Sequence, residues 1–280
     1  MLREKRVAFL GAGSMAESMI AGIVQKEIIH ADQLYVTNRS NQMRLQELNA
    51  KYGIQALTKD ALPYGEIDLF ILAMKPQGAA DALGELKDKI RPDQVVISVL
   101  AGISTEFMED HLKDGQQTIR VMPNTSSMIQ ESATALSPGR HTDMDSVLHV
   151  KELLSCMGKV FLIEENQMDI FTGLAGSGPA YFYYLMEHME KAGVEKGMDE
   201  NMVREIVAQT ILGAAKMILS NDEAPSSLRE KVTSPNGTTA SGLEALRKNN
   251  GGKAISEAVY HAAKRSKELN EEMAGALVTS

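Results

Sequence analysis

Cysteine is almost missing from this chain. Cys156 is the only one in 280 residues, so no intrachain disulfide and no thiolate cage around a metal can be built, and a reducing, cytoplasmic setting is expected. Tryptophan is absent altogether. Positive charge is also short: 29 Lys and Arg stand against 37 Asp and Glu, a net of −8. Nucleic acid is therefore not expected as a main partner, because binding the phosphate backbone needs a basic surface. A local basic pocket for one small phosphate stays open. Long hydrophobic runs are missing too. The apolar run after the basic Met1–Arg6 ends at Gly11, too short for the core of a secretion signal. The strongly apolar Leu69–Met74 has the length of a buried strand, and no membrane span is expected. The six histidines are scattered, none at HExxH spacing and none paired with a cysteine, so no metal is expected.

What is present is 44% hydrophobic and 24% charged residues, the balance of a globular protein, at a length that suits two domains. In the first half strand and helix patterns alternate. Strands are expected at Val7–Leu10, Leu34–Thr37, Leu69–Met74, Val95–Val99 and Thr118–Met122, with two more around Thr134–Leu136 and Val160–Ile163. Helices are expected at Ser14–Gln25, Gln42–Tyr52, Gln77–Ile90 and Thr105–Leu112. Apolar strands separated by helices imply a doubly wound, mostly parallel α/β sheet covered on both faces. From Asn166 onward the pattern is helical, with stretches at about Ala180–Ala192, Glu200–Leu219, Thr239–Lys248 and Lys253–Met273. Val203, Ile206, Val207, Thr210, Ile211, Ala214 and Ile218 cover so wide an arc of one helix that more than one partner surface is implied. An all-α second domain that also dimerises is expected, with the boundary near Glu164–Asn166.

Gly11-Ala12-Gly13-Ser14-Met15-Ala16 follows the first strand and opens the first helix. This is a Gly-x-Gly-x-x-Ala dinucleotide fingerprint: Gly11 for the turn, Gly13 for close approach of a pyrophosphate, Ala16 for helix–strand packing. At the end of the second strand, where NAD enzymes place an acid, the chain reads Thr37-Asn38-Arg39-Ser40. Arg39 is suited to a 2′-phosphate, with Asn38 and Ser40 adding hydrogen bonds, so NADPH is the expected cofactor. Read without a ligand, Arg39 is a solvated arginine at a turn. Lys75 and Pro76 follow the strand ending at Ala73-Met74, and Ala101-Gly102 follows the next. Ligands of such sheets lie beyond the carboxyl ends of the strands. Lys75 is therefore either a cofactor contact or a lysine held away from the chemistry.

In the helical half, Ala175-Gly176-Ser177-Gly178-Pro179-Ala180-Tyr181 opens one helix. Leu228 to Thr239 reads as a helix end, a hydroxyl-rich turn and a new helix start. The N–H groups of Gly237, Thr238 and Thr239 are expected to be free donors suited to a carboxylate. Plain capping of the helix by the Ser/Thr-rich turn is the other reading.

The chain resembles the pyrroline-5-carboxylate reductases over essentially its whole length. The resemblance rests on GAGSMA at 11–16, AMKPQ at 73–77, AGIS at 101–104, RVMPNT at 120–125, AGSGPAY at 175–181 and LREKVTSPNGTTASGLEAL at 228–246. It implies a Rossmann domain, 1–165, and a helical substrate-binding and dimerisation domain, 166–280, with homodimers formed by interlocking helices that in some members build larger rings. It implies reduction of 1-pyrroline-5-carboxylate to L-proline, the final step of proline biosynthesis, with NADPH or NADH. By position, Ser234, Gly237, Thr238 and Thr239 would hold the substrate, with Thr239 catalytic. Gly11, Ala12, Gly13, Ser14 and Met15 would hold the pyrophosphate, and Asn38, Arg39 and Ser40 the adenosine phosphate. Ala73, Lys75, Pro76 and Ala101 would line the nicotinamide ribose side. Two positions depart from the family: Asn236 stands where a glycine is usual, and Asp60 where Asn is common. Asn tolerates a left-handed backbone better than most residues, so the turn is expected to survive. The nearest enzyme rivals are β-hydroxyacid dehydrogenases, which resemble one another in a lysine on the helix opening the second domain. Here that helix starts Pro179-Ala-Tyr-Phe-Tyr-Tyr and has no lysine before Lys191. A reductase paralogue that binds NADPH but serves only as an interaction protein is the other alternative.

Overall fold

The computed structural model describes residues 1–278 and divides into two compact units. The first runs from Met1 to Gly176 and takes up the chain again from Ala262; the second is Ser177–His261. The sequence places the division at residue 165. In the structure the short helix α6, Met168–Phe171, and the π turn Thr172–Gly176 cluster with the sheet unit. Asp169 on α6 explains the return of the chain, since its Oδ1 accepts from Ser266 Oγ and Asn270 Nδ2, each at 2.7 Å.

Among the described residues the first unit is built on eight strands: β1 Val7–Leu10, β2 Leu34–Thr37, β3 Gln55–Ala56, β4 Leu69–Leu72, β5 Val95–Ser98, β6 Gln117–Met122, β7 Ser132–Pro138 and β8 Gly158–Leu162. Their order is β3-β2-β1-β4-β5-β6-β7-β8. All neighbours are parallel except β6 and β7. The run 3-2-1-4-5-6 is the doubly wound dinucleotide-binding order, with its switch between β1 and β4. Alternate residues feed two cores. Val7, Phe9, Leu69, Ile71, Val95 and Ile97 face α1 (Ser14–Gln25), α2 (Gln42–Tyr52) and α5 (Met144–Leu154). Ala8, Leu10, Phe70, Leu72 and Val96 face α3 (Ala79–Lys87) and α4 (Thr105–His111). Continuous apolar strands are the cost of burying both faces.

Several expected ends move, those around Pro76 among them. β4 stops at Leu72 instead of Met74, and a 3-10 turn, Pro76–Gly78, precedes α3, which begins at Ala79 and not at Gln77. Pro76 fits the first position of a turn but has no N–H to continue a ladder. The two-residue β3 carries too little pattern to be seen in sequence.

The second unit is helical: α7 Gly178–Glu195, α8 Glu200–Ser220, α9 Pro225–Lys231, α10 Thr238–Lys248 and the first part of α11, Gly251–Val278. α7 packs on α8 where Gly193 meets Val203; a β-carbon at Gly193 would lie 2.8 Å from both Val203 methyls. Arg204 of α8 binds both carboxylate oxygens of Glu190 on α7 at 2.8 Å. Of the wide apolar arc on α8, Val203 and Val207 are buried, while Ile206 is 48% and Ile218 38% exposed. Among the described residues no helix is long and apolar enough to cross a membrane.

Candidate active site

At the end of β1 the chain turns at once. Gly11 has φ +122°, and a β-carbon there would lie 2.4 Å from the Ala73 carbonyl oxygen and 2.7 Å from the Met74 nitrogen. Two strand ends are pressed together at this point, with the Gly11 N–H donating to Thr37 O at 3.0 Å and the Ala73 N–H to Leu10 O at 2.9 Å. Gly13 is different. Its φ is −76°, and the nearest atom to an added β-carbon is Ala73 O at 3.9 Å. The protein leaves space there, and both Gly13 and Ser14 are exposed. The N–H groups of Gly13, Ser14, Met15 and Ala16 find no acceptor among the described residues. Free donors at the positive end of a helix form an anion cradle, and Ala16 is fully buried, which lets α1 lie close on the sheet. These features fit a dinucleotide pyrophosphate.

Asn38, Arg39 and Ser40 form the turn after β2. Asn38 Oδ1 accepts the N–H groups of Ser40 at 3.2 Å and Asn41 at 3.3 Å, so that oxygen is spent on shaping the turn. Arg39 is exposed and makes no hydrogen bond or ion pair with the described residues. Its whole fork of donors is free for a phosphate. Arg44, on the first turn of α2, is engaged on every side. Its Nε donates to Ala12 O at 3.1 Å, and its guanidinium pairs with Glu17 on α1 and with Glu47 at 3.2 Å. Glu17 also accepts from Lys51 Nζ at 2.9 Å and Tyr52 OH at 3.0 Å. Bonds from Arg44, then Lys51, hold the Glu17 carboxyl down from the usual 4.5 to about 2, against the opposing push of burial. A carboxylate lowered in this way keeps its contribution above its ordinary value and loses it as pH falls from there toward the lowered one. The knot is thus whole at neutral pH. Nothing local in the sequence announces it, because Ala12 and Glu17 lie 32 and 27 residues from Arg44.

Ala73, Lys75 and Pro76 follow β4 and Ala101 follows β5. These strands run parallel with β1 and β2, so all four loops leave the sheet at one edge. Ala73 is buried, whereas Lys75 and Ala101 are exposed. The Lys75 ammonium has no partner among the described residues. Beyond β6, Asn124 accepts the Ser126 N–H at 3.1 Å and donates to Ala175 O at 3.0 Å. It ties the RVMPNT segment to the π turn that leads into AGSGPAY, a link the motifs alone did not suggest.

In the helical unit, Ser234-Pro235-Asn236-Gly237 is a tight turn. Pro235 holds its second position, Asn236 takes φ +58° at the third, and the Gly237 N–H donates to Ser234 O at 3.1 Å. This is the type II pattern, which needs a left-handed residue at the third position. Asn236 therefore keeps the turn as expected. One expectation is corrected. The free donors are the N–H groups of Thr238, Thr239 and Ala240, because the Gly237 N–H is used to close the turn. A β-carbon at Gly237 would meet Ser234 Oγ at 2.3 Å, so that hydroxyl lies over the turn. Ser234, Thr238 and Thr239 are exposed, and their hydroxyls have no partner among the described residues. Hydroxyls beside free N–H groups at the start of the 11-residue α10 can grip a carboxylate and one more polar group, donor or acceptor.

No group of three His, Cys, Asp or Glu able to hold a metal occurs among the described residues. Burial pushes the Cys156 thiol up to about 12, so it is protonated and inert as a nucleophile at neutral pH.

Two family models match the chain: NADP oxidoreductase coenzyme F420-dependent over residues 6–102, and pyrroline-5-carboxylate reductase dimerisation over residues 165–269. Pyrroline-5-carboxylate reductase 1 of Bacillus subtilis is 56% identical over 270 residues, covering 96% of this chain and 91% of that protein. The structure is similar to that of a pyrroline-5-carboxylate reductase from Coxiella burnetii, with a TM-score of 0.89 and 30% identity over 95% of this chain and 98% of the other. It is also similar to the Plasmodium falciparum pyrroline carboxylate reductase with NADP bound, with a TM-score of 0.83 and 26% identity over 96% of this chain and 99% of that one.

Proposed function

The chain belongs to the pyrroline-5-carboxylate reductase family, and from that premise we propose that it reduces 1-pyrroline-5-carboxylate to L-proline through the two cradles described above. It is an NAD(P)H-dependent oxidoreductase. Gly11, Ala12, Gly13, Ser14 and Met15 hold the pyrophosphate of NADPH. Arg39, with Asn38 and Ser40, holds the 2′-phosphate, and Ala73, Lys75, Pro76 and Ala101 line the ribose side. Residues 1–165 serve the cofactor; residues 166–280 serve the substrate and the homodimer. The observation that carries the substrate reading is the type II turn at Ser234–Gly237, with three free N–H groups following it.

NADPH, when bound, supplies the hydride. The chain's own work is positioning. The N–H groups after the turn and the Ser234 hydroxyl grip the ring carboxylate. The Thr239 hydroxyl bonds the ring nitrogen and so orients C5. The imine takes its proton from water before binding, and the iminium is then an electrophile that needs no nucleophilic side chain. Reaction requires C5 at a near-attack distance of about 3–3.5 Å from the hydride donor, and this order imposed on two bound molecules is the main source of rate.

The test is steady-state kinetics with pyrroline-5-carboxylate, comparing NADPH with NADH. The wild type consumes NADPH; no consumption ends the proposal. In Arg39→Ala, the preference for NADPH over NADH falls about tenfold or more, the loss expected for a charge-assisted fork on a phosphate. An unchanged preference removes Arg39 from the site.

The exposed apolar residues of α8, among them Met202, Ile206, Leu212 and Met217, are covered by a second copy in a homodimer, which in turn can build a larger ring. The cytoplasm is its compartment. Light scattering that returned a lone 30.5 kDa chain would end the dimer.

A further inference from the structure

We propose that Arg44 and Glu17 are cofactor-positioning residues, which aim the Gly13 N–H at the pyrophosphate without touching the cofactor themselves. The proposal rests on the reading that this chain binds NADPH. Its basis is the Ala12–Gly13 peptide. No peptide among the described residues is cis, and in a planar trans peptide the C=O and the following N–H point in opposite directions. Arg44 Nε donates to the Ala12 carbonyl at 3.1 Å. Fixing that oxygen on the α2 side turns the Gly13 N–H to the other side. There it has no acceptor among the described residues and stands at the head of α1 with the other free donors.

Arg44 cannot wander from this duty. Glu17, on the first turn of α1, and Glu47 take the rest of its guanidinium, and Lys51 and Tyr52 hold Glu17 in turn. Its base is fixed too, since Asn41 Oδ1 caps α2 by accepting the Arg44 N–H at 2.9 Å. The carboxylates balance the positive charge of Arg44, so Arg44 adds direction where Arg39 adds charge. Gly13 is exposed, with nothing closer than 3.9 Å to an added β-carbon, so its backbone is conformationally free, and ordering it before the ligand arrives lowers the entropy cost of binding.

The two arginines then have different signatures. The pyrophosphate is common to NADPH and NADH, and the 2′-phosphate is not. Dissociation constants for both cofactors are measured by calorimetry on Arg44→Met, Glu17→Gln and Arg39→Ala. Arg44→Met weakens NADPH and NADH by the same factor, about tenfold, as for loss of one hydrogen bond from a charged donor. KM for the cofactor rises by that factor, and kcat at saturating cofactor is unchanged. Glu17→Gln, which keeps the shape of the side chain, weakens both in the same direction by a smaller factor and decides the matter if Arg44→Met does not fold. Arg39→Ala weakens NADPH alone. Unchanged constants for both cofactors in the folded variants overturn the proposal. So does a loss confined to NADPH in Arg44→Met, which would place Arg44 in the 2′-phosphate site. A wild type that binds neither cofactor ends the reductase reading instead, so the two failures are distinguishable.

Discussion

Thr239→Val lowers kcat/KM for pyrroline-5-carboxylate by about a hundredfold or more, while the affinity for NADPH stays at the wild-type value. Valine keeps the branched shape of threonine and removes only the hydroxyl, and the residue is exposed on the first turn of α10. Packing loss is therefore slight. Without the bond to the ring nitrogen the carboxylate is still gripped by the N–H groups of Thr238, Thr239 and Ala240, but the ring can rotate about that anchor. Misplacement of the reacting carbon by an ångström costs on the order of a hundredfold. Stopped-flow reduction at saturating NADPH, with a separate NADPH titration, reads both quantities. Full turnover in the variant removes Thr239 from the chemistry.

The second large effect is a contrast between two glycines. Gly11→Ala abolishes tight NADPH binding, with a loss of about a hundredfold or more, or roughly 3 kcal/mol at 1.4 kcal/mol per decade. Its β-carbon would be driven into the Ala73 carbonyl, and its φ of +122° is one that L side chains avoid. The collision is with backbone, so β1 and β4 must separate. Gly13→Ala meets nothing closer than 3.9 Å and folds as the wild type does. Any affinity it loses is a clash between the methyl and the ligand. Thermal melts alongside NADPH titrations separate the two: Gly11→Ala loses melting temperature and affinity together, Gly13→Ala affinity alone. Tight NADPH binding by both variants would remove this loop as the pyrophosphate site.

Much of this was legible in the chain itself, for physical reasons that also mark where legibility ends. Continuous apolar runs and helical patterns place β1, α1, β2 and α2 with the observed ends, because each strand is buried on both faces and each helix on one. The fingerprint at 11–16 is local, so its glycines can be read in order. Asn236 was legible as a tolerated left-handed residue, and its φ of +58° agrees. The Gly237 N–H was misjudged because a turn closed by its own backbone looks, in sequence, like a helix start with every donor free. Arg44 and Asn124 were invisible. Each acts on a carbonyl, of Ala12 and Ala175, and a bond to backbone leaves no complementary side chain to search for. The return of α11 to the sheet unit was hidden likewise, since Asp169 meets Ser266 across 97 residues.

The sealed sulfur of Cys156 has a practical corollary. Its neighbours are Met19, whose carbonyl lies 3.8 Å away, and Gly22, where even one added carbon would sit 2.9 Å from the Cys156 carbonyl. Alkylating reagents therefore have no path to it while α1 lies on the sheet. Since no other thiol competes, every labelled molecule is one that has opened there, and the labelling rate becomes a gauge of how often the nucleotide-binding half breathes.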